Sequence, residues 1–218
     1  MRRAHDLSQS VVVLAIVAVA GCSSAVQSSS QSTPPLAAPA ANAMRPREAH
    51  KADVHFMSGM IPHHAQAVLI AGWAPSHNAR SDIKILCERI VVAQRDEIAL
   101  MQTWLRGRGL PVPEATATHM KMMMNGMEHD MLMPGMLNDE ELARLDKARG
   151  SEFDRLFLAA MIRHHQGAIT MVDELFGTAG AGQDETVFRF ASDVYADQTT
   201  EIERMQKMLA TIPGSPGR

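Results

Sequence analysis

Aromatic residues are scarce in this chain of 218 residues: one Tyr, two Trp and six Phe, 4% in all. A core must therefore be filled by aliphatic side chains, Ala and Met. The composition is otherwise ordinary for a globular protein, at 46% apolar and 21% charged. Cysteine is nearly missing, with only Cys22 and Cys87. No Lys/Arg cluster stands out beyond Arg2-Arg3, and the net charge of -3 with a pI near 6.4 argues against a nucleic-acid partner. A phosphate-binding Gly loop, a haem-attachment motif and a catalytic nucleophile are also missing, so the chain reads as a binder and not an enzyme. No stretch shows convincing strand alternation. The apolar run Val11 to Ala20 is too short to span a membrane as a helix.

That run instead reads as a signal peptide over residues 1–21. Arg2 and Arg3 supply the positive start, and Val19-Ala20-Gly21-Cys22 ends it on small residues and a cysteine. The ending resembles a bacterial lipobox, which makes Cys22 the lipidated N-terminus of a membrane-anchored, extracytoplasmic lipoprotein. Residues 22–47 are rich in Ser, Gln, Pro and Ala, without apolar periodicity, and read as a flexible tether. With Cys22 lipidated, Cys87 has no disulfide partner, and its place on the stripe Ile83, Leu86, Cys87, Ile90 makes it a small core residue.

What is present in excess is self-similarity. Asp53-Val-His-Phe-Met-Ser-Gly-Met-Ile-Pro-His-His-Ala-Gln-Ala67 matches Asp154-Arg-Leu-Phe-Leu-Ala-Ala-Met-Ile-Arg-His-His-Gln-Gly-Ala168 at an offset of 101 (154 − 53). Downstream, Gln94-x-x-Glu97-Ile98-x-x-Met101-Gln102-x-x-Leu105 matches Gln198-x-x-Glu201-Ile202-x-x-Met205-Gln206-x-x-Leu209 at an offset of 104 (198 − 94). The second copy has thus gained three residues, in a connection marked by Gly177, Gly180 and Gly182.

Each copy reads as a helical hairpin. Phe56, Met60, His63, Ala67 and Ile70 recur at helical steps, as do Ile83, Leu86, Ile90, Gln94, Glu97, Met101 and Leu105, before Gly107, Gly109, Pro111 and Pro113 stop the second helix. Helices of about 151–176 and 183–210 repeat the plan, and Asn138 opens a short lead-in helix. Two hairpins with one apolar stripe each bury it best against one another. The expected fold is therefore all-α, a four-helix bundle over residues 48–212. Within it, repeat one covers about 50–106, a Met-rich connector about 107–137 and repeat two about 151–210. Pro62 should kink the first helix.

Met60, His63 and His64 place one thioether and two imidazoles around adjacent turns of one helix, and Met161, His164 and His165 repeat the set. Neighbouring His diverge by about 100° around the axis, so one is expected to point into the bundle and the other toward a groove or second site. Glu97 and Glu201 lie on core-facing stripes with Met101 and Met205, and a buried carboxylate needs a partner such as a facing imidazole. Such a pair can orient a metal-binding His, or can fix packing with no metal at all.

Between the repeats, eight of the 17 Met fall between His119 and Met136. His119, Met120, Met122, Met123, Met124 and Met127 are candidate ligands, followed by Met131 and Met133. Thioethers are soft, select Cu(I) over hard ions, and need no deprotonation. The alternatives are a pliable docking surface for a partner or a sacrificial oxidation site.

The doubled Met-Ile-x-His-His, each with its Gln-x-x-Glu-Ile-x-x-Met, resembles the DUF305 family, a domain of unknown function. So does Gly150-x-Glu152-Phe153-Asp154 at the start of copy two, and the resemblance spans about residues 50 to 210. That family is similar to ferritin-like four-helix bundles and includes periplasmic copper-binding proteins of the CopM type, linked to copper tolerance. The resemblance implies Met60, His63, His64, Met161, His164 and His165 as ligands, together with the central Met cluster. The copies differ at Pro62 against Arg163 and at Met57 against Leu158, so two sites of unequal affinity are expected. The function implied is sequestration of copper, as Cu(I) or Cu(II), or its transfer to a protein partner. A structural or interaction lipoprotein is the alternative. A ferritin-like di-metal oxidase is disfavoured, because only Glu97, Glu201, Asp53 and Asp154 are on offer and the last two lie ten residues from the His pairs.

Overall fold

Local capping signals set where the helices begin. His50 precedes helix α1 (Lys51–Gly72), its Nδ1 accepting a hydrogen bond from the Ala52 N–H at 3.2 Å, while Asp53 puts negative charge in the first turn. Helix α2 (Ser81–Arg106) ends at Gly107. Asn138 and Glu141 form a reciprocal capping box that starts α3 (Asp139–Lys147). Helix α4 (Ser151–Gly177) follows Gly150, and α5 (Glu185–Ala210) starts where the Asp184 carboxylate accepts the N–H groups of Thr186 and Val187. This computed structural model describes residues 48–213. The signal peptide, Cys22 and the tether lie outside the described residues.

Helix α1 packs on α2 and α4 on α5, and the two hairpins meet chiefly through α1 and α4. Helix α1 continues through Pro62 and buries residues around most of its circumference, whereas α2 and α5 bury a single stripe. The apolar interior forms two clusters. One gathers Phe56, Met57 and Met60 of α1 with Met101 and Leu105 of α2, Met171 and Leu175 of α4, and Val187 and Phe190 of α5. The other gathers Ile70 of α1 with Ile83 and Leu86 of α2, Phe153, Phe157 and Met161 of α4, and Met205 of α5. Each cluster joins the beginning of one hairpin's first helix to the end of the other's, so α1 and α4 run antiparallel. His63, His64, His164 and His165 lie midway along these two helices and belong to neither cluster.

The hairpins also clasp each other reciprocally. Asp53 at the start of α1 accepts the Gly182 N–H at 2.7 Å, in the turn between α4 and α5. Asp154 at the start of α4 accepts the Arg80 N–H, at 3.2 and 3.3 Å to its two oxygens, in the turn between α1 and α2. Both carboxylates are buried, so each offsets its desolvation with a backbone donor that would otherwise be unpaired.

The expectation that no strand is present is overturned. Strands β1 (Met120–Met124) and β2 (Met127–Met131) form an antiparallel hairpin. Asn125 (φ +52°) and Gly126 (φ +78°) make the turn, and positive φ at both central residues is the geometry that an Asn-Gly pair supplies. The run Met122-Met123-Met124 hides the alternation, because Met falls on both faces. Among the described residues the fold is mostly helical with this one small hairpin. Among the described residues no helix is long and apolar enough to cross a membrane.

Candidate functional site

The centre of the molecule is a polar layer between two apolar clusters. His63, His64, His164 and His165 are all fully buried. His63 and His164 face one another across the α1–α4 contact with ring centroids 3.8 Å apart and planes inclined at 38°. His64 and His165 stand on the outer sides, 6.1 Å from His63 and 6.3 Å from His164 respectively. The expected divergence within each pair is therefore present, but both members turn inward.

The outer imidazoles meet the carboxylates of the second helices. His165 Nε2 lies 2.6 Å from Glu201 Oε2, in hydrogen-bonding geometry with the ring donating. His64 Nε2 approaches Glu97 Oε2 to the same 2.6 Å, yet too far off the ring N–H direction to count as a well-formed hydrogen bond. The close approach of opposite charge density matters here more than the angle. Glu97 and Glu201 are part-exposed and line a surface cleft between α2 and α5, with Gln94, Asp197 and Gln198 beside them. Burial and the nearby Glu97 carboxylate push the Asp197 carboxyl above its ordinary range.

The inner imidazoles are poorly bonded. His63 donates from Nε2 to the Pro134 carbonyl at 3.0 Å, which leaves Nδ1 as a bare acceptor. Among the described residues His164 makes no well-formed hydrogen bond on either nitrogen, and the Nδ1 atoms of His64 and His165 and the Oε1 atoms of Gln94 and Gln198 are likewise buried without one. Burial first, and neighbouring imidazoles next, push His63 and His164 well below the usual 6.5. Both are neutral at neutral pH, each with a free lone pair. Unpaired buried polar atoms cost about 1–3 kcal/mol each, so a cluster of them in one layer demands a ligand or solvent.

The sulfur donors lie along the same helices. Met60 and Met161 are fully buried a turn from the His pairs, as are Met101 and Met205, a turn beyond Glu97 and Glu201. Among the described residues no three His, Cys, Asp or Glu side chains are arranged to grip one ion. An ion in this layer would have to take thioethers beside the imidazoles, a donor set that suits a soft metal. Cys87 stays outside it, buried in the second apolar cluster, where burial pushes its thiol up to about 12.

One flank of the layer is closed by the connector. Pro134 and Gly135 lie directly on the backbone of α4, where a Cβ on Gly167 would come within 1.9 Å of the Pro134 oxygen. Gln66, the copy-one counterpart of Gly167, holds Leu137 from both sides, donating to its carbonyl at 2.9 Å and accepting its N–H at 2.7 Å. Sequence reasoning passed over Gln66, Pro134 and Gly167. The available signal, the mismatch of Gln66 with Gly167, is one of several between the two copies and does not stand out.

The structure does not bring the connector candidates into the histidine layer. His119 is partly buried beside Thr118. Met120 reaches α1, where its sulfur and that of Met133 lie 3.4 and 3.3 Å from the point a Cβ on Gly59 would occupy. Met122 is partly buried, while Met123 and Met127 are exposed. For Met124 only the backbone position in β1 is described.

Comparison with known proteins places the chain as follows. The family model for a domain of unknown function, DUF305, matches residues 53–209. A candidate secreted DUF305 protein from Streptomyces coelicolor is 25% identical, over 77% of this chain and 97% of that one, with a TM-score of 0.62. A DUF305 fragment from Deinococcus radiodurans is 27% identical, over 74% and 97%, with a TM-score of 0.61. CopM in its Cu(I)-bound form is 27% identical, over 74% and 98%, with a TM-score of 0.56. CopM has also been solved in Cu(II)-bound, silver-bound and apo forms. No curated protein matches the chain in sequence.

Proposed function

Because the chain belongs to the DUF305 family, we propose that it is an extracytoplasmic copper-binding protein, taking up Cu(I) through the buried histidine layer and its flanking methionines. The observation that carries this reading is His164, a neutral, fully buried imidazole with no well-formed hydrogen bond on either nitrogen among the described residues, set at a tilt against His63 with its bare Nδ1. Neutral imidazole and thioether are the donors that Cu(I) accepts, and the similarity to CopM, solved with Cu(I) and Cu(II), supports the choice of metal. Glu97 and Glu201 would hold the outer imidazoles in orientation and connect the layer to the cleft between α2 and α5. Copper is here a cargo to be sequestered or passed to a protein partner, with no covalent chemistry. We read the paired hairpins as a ferritin-like four-helix bundle put to storage or transfer instead of oxidation. Asp53 and Asp154 support that choice, since both are committed to backbone donors near the helix starts. Lipidation of Cys22 would hold the protein at the membrane surface, and the similarity to a candidate secreted protein supports export.

A structural role is the competing reading, and the His64–Glu97 and His165–Glu201 contacts favour it, because such pairs fix packing without a metal. It leaves His164 unexplained. The test is a Cu(I) titration against a chromophoric chelator, comparing the wild type with the His63→Gln/His164→Gln variant. The expected result is uptake by the wild type and at least a roughly ten-fold weaker site in the variant, about 1.4 kcal/mol. A wild-type protein that takes up no Cu(I) would end the copper reading.

A further inference from the structure

The two ends of the bundle are built by equivalent turns that carry different side chains. At one end the α4–α5 turn packs on the start of α1, where Gly182 bonds Asp53 and a Cβ on Gly180 would come 3.8 Å from the His50 ring. At the other end the α1–α2 turn packs on the start of α4 through Arg80 and Asp154. The first end carries Phe176, in the last turn of α4, and Phe188, in the first turn of α5. Their ring centroids lie 5.6 Å apart, and the two side chains remain 43% and 54% exposed. Phe176 is held in place, because Gly182 (φ +66°) passes so close that a Cβ there would stand 3.0 Å from two atoms of its ring. The repeat supplies the control. Offsets of 101 and 104 put Pro75 (176 − 101) and Lys84 (188 − 104) at the equivalent positions of the other end. A single exposed apolar side chain is ordinary, but a positioned aromatic pair on one turn of two calls for something to cover it.

The chain itself indicates the occupant. Cys22 lies 26 residues (48 − 22) before Glu48, and Glu48 leads directly into α1, so the sequence from Cys22 joins the bundle at the end that bears the Phe pair. We propose that Phe176 and Phe188 form a docking surface for a lipid bilayer, seating their rings at the level of the headgroups and setting this end of the bundle toward the membrane. The proposal rests on the reading that Cys22 is lipidated. A link of this length holds the pair near the bilayer at an effective concentration on the order of millimolar, so a patch too small to bind vesicles alone is sufficient. Exposed charges at this end are mixed, with Lys51 and Arg106 against Glu48, Asp173 and Glu174. The attraction therefore comes from the aromatic rings, as in other interfacial apolar contacts, and is insensitive to salt.

The test places a nitroxide on the full chain in phosphatidylcholine vesicles, through Ala179→Cys at the exposed α4–α5 turn or Pro75→Cys at the exposed α1–α2 turn. Neither change removes a Phe, and mass spectrometry of the N-terminus reports lipidation independently. The expected result is that the label at position 179 is reached by oxygen and shielded from an aqueous nickel chelate, while the label at position 75 shows the reverse. Adding Phe176→Ser and Phe188→Ser should raise nickel access at position 179 to the level at position 75. Both Phe are exposed and lie outside the histidine layer, so Cu(I) uptake should not change. A lipidated protein that stays on the vesicles with position 179 in water would refute the docking surface and keep the anchor. Shielding at position 179 with an unlipidated N-terminus would keep the surface and remove the anchor, and an unlipidated protein that leaves the vesicles would remove both. Shielding that survives the double Ser change would overturn the role of the Phe pair. Spin–spin broadening at position 179 without vesicles would show that a second copy covers the pair, and would overturn the proposal.

Discussion

A neutral imidazole carries one donor and one acceptor, and at His164 neither makes a well-formed hydrogen bond among the described residues. That imbalance bears on stability as well as on binding. In the unfolded chain His63 and His164 bind protons near pH 6.5, whereas burial and the adjacent imidazoles keep them neutral in the fold until the pH is much lower. Below pH 6.5 the unfolded state therefore binds more protons than the native state, so stability present at higher pH is lost on acidification. Each group can contribute a slope of up to about 1.4 kcal/mol per pH unit. Thermal melts of the metal-free protein between about pH 7.5 and about pH 5 should show the midpoint falling with pH, less steeply in His164→Leu. A flat midpoint in the wild type would mean that these imidazoles are protonated in the folded state. At this scale the doubled motif marks all four His in the sequence. It could not say that His63 and His164 meet ring to ring.

Elements show the opposite balance. Helix propensity would favour Ala over Gly at position 167 by about 1 kcal/mol. The structure reverses that preference, because a Cβ there would stand 1.9 Å from the Pro134 oxygen and 2.8 Å from the Gly135 nitrogen. Backbone atoms cannot swing aside as a side chain can. Gly167→Ala should therefore destabilise the protein by about 1–3 kcal/mol and loosen the connector over the histidine layer. At Gly177, where nothing lies within 4 Å, the same change should be neutral or slightly stabilising. Urea denaturation of the two variants side by side checks the contrast, and equal stabilities would show that the connector does not press on α4. The β-hairpin belongs to this scale as well. Its Asn125-Gly126 turn is a strong local signal, but the mixed run of Met on both sides concealed the period-two pattern.

For the whole molecule the organising fact is a two-fold relation between the repeats. Asp53 ties down the turn of the second hairpin and Asp154 the turn of the first, through bonds between residues far apart in the chain. Each aspartate accepts a backbone N–H, so Asp53→Ala or Asp154→Ala should cost about 1–3 kcal/mol through the unsatisfied donor. The two clasps share no partner, so the double variant should lose about the sum of the single losses, within about 0.5 kcal/mol. Chemical denaturation of the three variants tests this. A double loss well below the sum would mean that the clasps act as one unit.

Periodicity and repetition alone determined that the chain forms two helical hairpins, where the helices fall, and which His, Met and Glu share a face, because those properties depend on neighbours three or four residues apart. They also marked Asp53 and Asp154 as equivalent. Tertiary structure alone decided what the equivalent residues touch. The tilted contact of His63 with His164, the inward turn of all four imidazoles, and the seating of Pro134 on Gly167 all depend on contacts between distant segments. A helix's own sequence specifies which face is apolar. The partner presented to that face, and the polar atoms left without one, are set only when the hairpins pack.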